Sequence, residues 1–261
     1  MVLTDILSFV AIFFIGALIV QVIAFSFSLK LKRVDIVDVA WGASFIAGYL
    51  ALQIYRPTNS LSVMIVGLML FAWGARLSIH ILRRFLRSTH QDDRYTELMS
   101  AWPVGNRAIH TFLRIFLTQA VLATIIGLPI IVISFFEPST KPIVFIGIVV
   151  WVFGYVVEIV GDRQLKQFLL SSKSSGLMTS GLWKYSRHPN YFGEISMWWG
   201  IALISCATPL WWLGIIGAMT ISYLLSFVSG VPLAEARAAT KPGWAAYKEK
   251  TSVLVLWPPK Q

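Results

Sequence analysis

Residues 5–29 read DILSFVAIFFIGALIVQVIAFSFSL, and they decide the class of fold. The run holds one ionisable residue, Asp5, at its start. An α-helix rises about 1.5 Å per residue, so about 20 apolar residues cross the hydrocarbon core of a bilayer. This stretch is no cleavable signal peptide. It lacks a basic start, and its apolar core exceeds the roughly 7–15 residues of a signal. Six further apolar stretches follow, at 38–55, 60–82, 111–136, 142–161, 191–207 and 209–231. Pro57, Pro138, Pro142 and Pro209 stand at the turns, where the residue before a proline leaves helical geometry. Composition agrees. Of 261 residues, 57% are hydrophobic and 13% charged, against about 45–50% and about 25% in a soluble domain. A soluble domain of this length has too little interior to hide that much apolar surface. The expectation is an all-α polytopic membrane bundle of seven transmembrane helices, forming a single domain over residues 1–261.

Basic residues set the orientation. With alternate loops assigned to one side, all but Arg56 and Lys141 of the 22 Lys and Arg fall together. Positive loops face the cytoplasm, which predicts an N-terminus outside and a cytoplasmic C-terminus. The net charge of +10 is then topological and calls for no nucleic acid. Nearly all remaining polar chemistry lies in the inner segments 83–110, 162–190 and 232–261, so a polar ligand enters from the cytoplasm. Cys206 is the single cysteine and the four histidines are scattered, so no metal site is expected.

Charges in or beside spans are costly and usually face a bundle interior. Asp38 opens the second span, with Trp41 one turn on. It reads either as a helix N-cap or as an interior acid. Trp73, Arg76, His80, Arg83 and Arg87 form a stripe at helical spacing. Arg84 and Arg87 suit topology anchors that snorkel; Arg76 is deeper and suits an interior pairing with an acid or a bound anion. Glu158 and Asp162 are four residues apart and share a helical face. The densest constellation is GLWKYSRHPNYFGE, residues 181–194. Residues 171–180 before it read as loop. Pro189 suits a first helical turn, which places Asn190 and Glu194 on one face and Arg187 and His188 beside the helix N-terminus, a ready anion site. After the last span, Glu235, Trp244 and Tyr247 mark a segment that either lies on the membrane or folds over the cytoplasmic mouth. No G-x-G-x-x-G, Walker loop or H-E-x-x-H is present.

Taken together, DIVDVAWG (35–42), WGARL (73–77), DDRY (92–95), the E-x-x-x-D-R-Q-L of 158–165, GLWKYSRHPNYFGE, SGVPLAE (229–235) and WAAYKEKT (244–251) resemble the bacterial DUF1295 membrane proteins. These are related to the C-terminal domain of steroid 5α-reductases. The resemblance implies an integral membrane reductase, placed in the bacterial inner membrane. It uses NADPH to saturate the C=C bond of a conjugated enone in a steroid-like lipid. Helices 1–4 would form the substrate side, and helices 5–7 with the cytoplasmic loops the cofactor side. The cofactor motif of the family matches at Glu158, Asp162, Arg187, Asn190, Tyr191 and Glu194, joined by His188, Glu235 and Tyr247. Arg76, Arg83, Arg84 and Arg163 are further candidates for the phosphates. The match departs at the ketone-polarising pair. Helix 2 has no Glu, and Trp73 stands where the family has Tyr, so Asp38 and Tyr95 are the catalytic candidates here. A rival reading comes from membrane methyltransferases that bind S-adenosylmethionine and share an RHP-x-Y-x-G motif.

Overall fold

Each long apolar run becomes a helix because lipid offers backbone N–H and C=O groups no other partner. The computed structural model describes residues 2–100, 102, 105–139, 141–171 and 176–260; residues 172–175 of the serine-rich loop lie outside them. It is 78% helix, with no strands among the described residues. The longer helices are α1 (Val2–Leu31), α2 (Ile36–Tyr55), α3 (Leu61–Arg87), α8 (Pro142–Leu169), α9 (Pro189–Ser205) and α10 (Trp211–Tyr223). Shorter ones are α4 (Asp93–Ser100), α5 (Arg107–Thr111), α6 (Thr118–Ile126), α7 (Leu128–Phe136), α11 (Val231–Ala238) and α12 (Trp244–Lys250).

Six helical segments are long and apolar enough to cross a bilayer: Thr4–Leu31, Ile36–Tyr55, Leu61–Arg87, Arg107–Ile126, Pro142–Leu169 and Trp211–Ala238. The chain is an integral membrane protein. The expected span at 191–207 is α9, which has 17 residues. At 1.5 Å per residue it reaches about 25 Å, at the short end of the range for a spanning helix. The expected span at 111–136 is interrupted. A π-helical stretch occupies Phe112–Leu117, and the helix breaks at Gly127, with Pro129 in the first turn of α7. The expected span at 142–161 instead continues to Leu169, because 162–169 holds no glycine or proline to stop it.

The chain divides into two compact units, Met1–Thr140 with Thr208–Gly214, and Lys141–Ala207 with Ile215–Gln261. In the first, α1 packs on α2 and α2 on α3, around the fully buried Phe13, Phe45, Leu52 and Leu70. In the second, α8 packs along α9. Lipid tails are as apolar as leucine, so helices associate there by close backbone approach at small residues. The α8–α9 seam shows this at seven-residue steps. A Cβ on Gly147 would sit 2.6 Å from the Gly200 carbonyl oxygen, and one on Gly154 would sit 2.5 Å from that of Gly193. The third step, Gly161, faces the backbone of Asn190.

Candidate functional site

In the second unit this seam carries the polar side chains. Glu158, 3% exposed, lies on α8 against Gly193 of α9. One turn on, Asp162 accepts a hydrogen bond from Asn190 Nδ2 at 3.3 Å. That bond lets the two acids, four residues apart, share a face. Asn190 Oδ1 is buried and accepts no hydrogen bond among the described residues. Glu194 follows one turn along α9, also buried. The close approach of the two backbones at the glycines therefore brings Glu158, Asp162 and Asn190 to the seam, and Glu194 lies four residues along α9 from Asn190.

The loop before α9 is stapled to α8. The Trp183 indole N–H donates to the Gly161 carbonyl at 3.1 Å, and Leu182 N–H donates to Gln164 Oε1 at 2.9 Å. Trp183 and Gln164 were not among the expected site residues. The only signal for them is their place inside the motif segments.

Arg187 differs from its expected role as an anion ligand. It is 6% exposed. Its Nε and Nη2 lie 2.8 Å and 2.7 Å from Glu235 Oε1. Its Nη1 donates to the carbonyls of Lys248, at 2.9 Å, and Thr251. Lys248 Nζ holds the other Glu235 oxygen at 3.1 Å, and Tyr247 O–H donates to the Trp183 carbonyl at 2.6 Å. The C-terminal segment thus folds back onto the loop 181–188. Arg187, Glu235 and Tyr247 are committed to holding it there.

His188, 5% exposed, stacks on Tyr191 with ring centroids 5.4 Å apart. Its Nε2 lies 3.6 Å from Glu235 Oε1, too long for a hydrogen bond. Burial pushes its pKa down to about 4; Arg187 pushes the same way and Glu235 opposes them. The ordinary value is about 6.5. A depressed folded pKa stabilises the fold fully above 6.5 and loses that contribution as pH falls towards 4. We expect the thermal midpoint of the purified chain to drop by several degrees between pH 7 and pH 4.5, and to drop less in His188→Gln. Equal pH profiles for the two proteins would show that this imidazole stays uncoupled from folding.

Asp38 and Tyr95 meet in the first unit. The Tyr95 phenol donates to Asp38 Oδ1 at 2.6 Å, and Arg94 Nη2 donates to Oδ2 at 2.9 Å. Arg94 also bonds Asp92 through Nε at 2.9 Å, and Arg84 stands 3.9 Å from Asp38. Tyr95 is buried beside Ala24, Val34, Val37 and Phe116. Burial first, and then the charge of Asp38, hold its phenol proton well above the ordinary tyrosine range. The sequence places these two side chains 57 residues apart, and the fold joins them as donor and acceptor. Asp38 is not the N-cap of α2; Asp35 holds that position and bridges Arg33 at 2.7 Å. Of the α3 stripe, Trp73 is buried, Arg76 half-buried and Arg83 exposed, all in the first unit. Arg163 is exposed on α8.

Residues 24–251 match the family described as "Protein of unknown function (DUF1295)". The chain belongs to the DUF1295 family. Every segment on which the resemblance rests, from 35–42 to 244–251, lies inside that match. No curated protein and no solved structure matches this DUF1295 chain.

Proposed function

We propose that this DUF1295 chain is a membrane reductase that uses NADPH to saturate the C=C bond of a conjugated enone in a steroid-like lipid. The observation that carries the reading is the seam of the second unit. The buried acceptor Asn190 Oδ1 has no donor among the described residues, and it lies beside Asp162 and within a turn or so of Glu158 and Glu194. Ribose hydroxyls and a carboxamide N–H₂ are the donors such a set receives. Arg163, exposed one residue after Asp162, would serve a phosphate, whereas Arg187 contributes by holding the C-terminal segment. NADPH, when bound, supplies a hydride for the β-carbon of the enone, and the α-carbon takes a proton. On the chain's side, Glu158, Asp162 and Asn190 bind and orient the nucleotide. Tyr95 holds a proton at its phenol oxygen, which must leave Asp38 before it reaches a substrate. The commitment of Arg187 also favours a second reading. An acceptor-rich site with few free arginines suits the sulfonium and ribose of S-adenosylmethionine, and hence methyl transfer.

Binding to the detergent-solubilised chain separates the two. The reductase reading expects NADPH to bind, S-adenosylmethionine not to bind, and 3-keto-4-ene steroids to drive NADPH oxidation. Asn190→Ala should then lower NADPH affinity about tenfold, or about 1.4 kcal/mol. Binding of S-adenosylmethionine alone would transfer the site to methyl transfer, and binding of neither would sink both readings.

For the topology we propose seven crossings, with α9 crossing beside α8, the N-terminus outside the bacterial inner membrane, and the C-terminus and site in the cytoplasm. An odd number of crossings separates the termini, and the basic residues choose the sides. A reporter active only in the periplasm, fused after Lys260, should be silent. A strong signal there would reject this orientation.

A further inference from the structure

Past α12 the chain carries chemistry that the seam does not use. Residues 251–257 run back along the loop before α9. Arg187 N–H donates to the Ser252 carbonyl at 2.8 Å and Trp257 N–H to the Tyr185 carbonyl at 3.1 Å. Lys260 N–H donates to the Lys250 carbonyl at 2.9 Å, which closes the segment into a loop. Around it lies an open cavity of about 510 Å³, walled in part by Lys248, Lys250, Val255, Trp257 and Lys260. Lys248 and Arg187 also reach this wall, but both are held by Glu235. Lys250 and Lys260 make no ion pair among the described residues, and their backbones are bonded side by side. The wall also has an acid, Glu249. Lys184 Nζ stands 5.9 Å over the ring of Tyr185, the residue whose carbonyl holds Trp257 N–H.

The lip of the same cavity is apolar and faces outward. Trp257 is 68% exposed and Val255 53%, and Tyr185, whose carbonyl accepts from Trp257 N–H, is 40% exposed beside them. An exposed Trp and Tyr beside valines and lysines is costly in water and natural at the headgroup level of a bilayer, where the rings meet acyl chains and the ammonium groups meet phosphate. The position agrees, because Tyr185 lies four residues before Pro189, where α9 begins. A soluble nucleotide would satisfy the lysines but leave Val255 and Trp257 in water. A phospholipid satisfies both.

We infer that the loop of residues 248–260 is a binding site for an anionic phospholipid, with Lys250 and Lys260 on its phosphate and Val255 and Trp257 against the start of its acyl chains. The site is independent of the cofactor that the seam binds. The test is native mass spectrometry of the full chain in a mild detergent, with phosphatidylglycerol or phosphatidylcholine of matched acyl chains added. Wild type should retain phosphatidylglycerol about tenfold better than phosphatidylcholine. The double variant Lys250→Gln, Lys260→Gln should bring the two to the same level, and Trp257→Ser should lower both, with thermal midpoints unchanged in both variants. Equal retention of the two lipids by wild type overturns the inference. So does undiminished phosphatidylglycerol on the double variant. Displacement of phosphatidylglycerol from wild type by added NADPH also overturns it, because the cavity would then be a nucleotide phosphate site.

Discussion

Replacing Arg187 with alanine should release the C-terminal segment and destabilise the chain by about 3–5 kcal/mol, the usual cost of removing one partner from a buried ion pair. The guanidinium is 6% exposed and ties the loop before α9 to two other stretches of chain: Glu235 on α11, and the carbonyls of Lys248 and Thr251 at the end of α12. Alanine leaves a carboxylate and two carbonyls without their donor, while Lys248 retains a hold on Glu235. Arg187→Lys keeps the charge but loses the planar fork that reaches both sides, so it should fall between alanine and wild type. Limited proteolysis reads the effect directly, because cleavage within 239–260 should speed up while α8 and α9 stay protected. If nucleotide affinity falls while the thermal midpoint and protease pattern stay as in wild type, Arg187 is a ligand and not a clamp.

The second large effect is expected at the α8–α9 seam. A Cβ on Gly193 would stand 2.6 Å from both the Glu158 nitrogen and the Gly154 carbonyl oxygen. Backbone atoms cannot rotate out of the way as a side chain can. Gly193→Ala should cost about 1–3 kcal/mol by overpacking. Gly154→Leu and Gly193→Leu should leave no monodisperse protein after detergent extraction. Gly105→Ala is the control, since its Cβ would meet nothing within 4 Å among the described residues. If Gly193→Leu elutes as wild type and keeps its thermal midpoint, the helices are not in backbone contact. The same substitution also tests the site, because spreading the helices separates Glu158 and Asp162 from Asn190 and Glu194. Gly193→Ala should therefore weaken cofactor binding more than its loss of stability alone explains.

Much of this was legible from residue order. The membrane class follows from apolar runs of 20 residues or more, a local property that lipid enforces by itself. The start of α9 at Pro189 and the common face of Glu158 and Asp162 follow from helical geometry, which spacing encodes. The break at Gly127 was also signalled by Pro129, but it lay inside an apolar run, where hydropathy masks it. Family membership rests on motif segments spread over most of the chain.

Which charges meet was not legible. Arg187 looks like an anion ligand because it precedes a helix N-terminus, yet its partner is Glu235, 48 residues on. Asp38 looks like a cap or an interior acid, yet its partners are Arg94 and Tyr95, more than 50 residues on. Spacing along a helix specifies which side chains share a face, because 3.6 residues make a turn whatever lies outside. It is silent on what that face meets. That depends on where the chain folds back, and here glycine contacts and the returning C-terminal segment decided it.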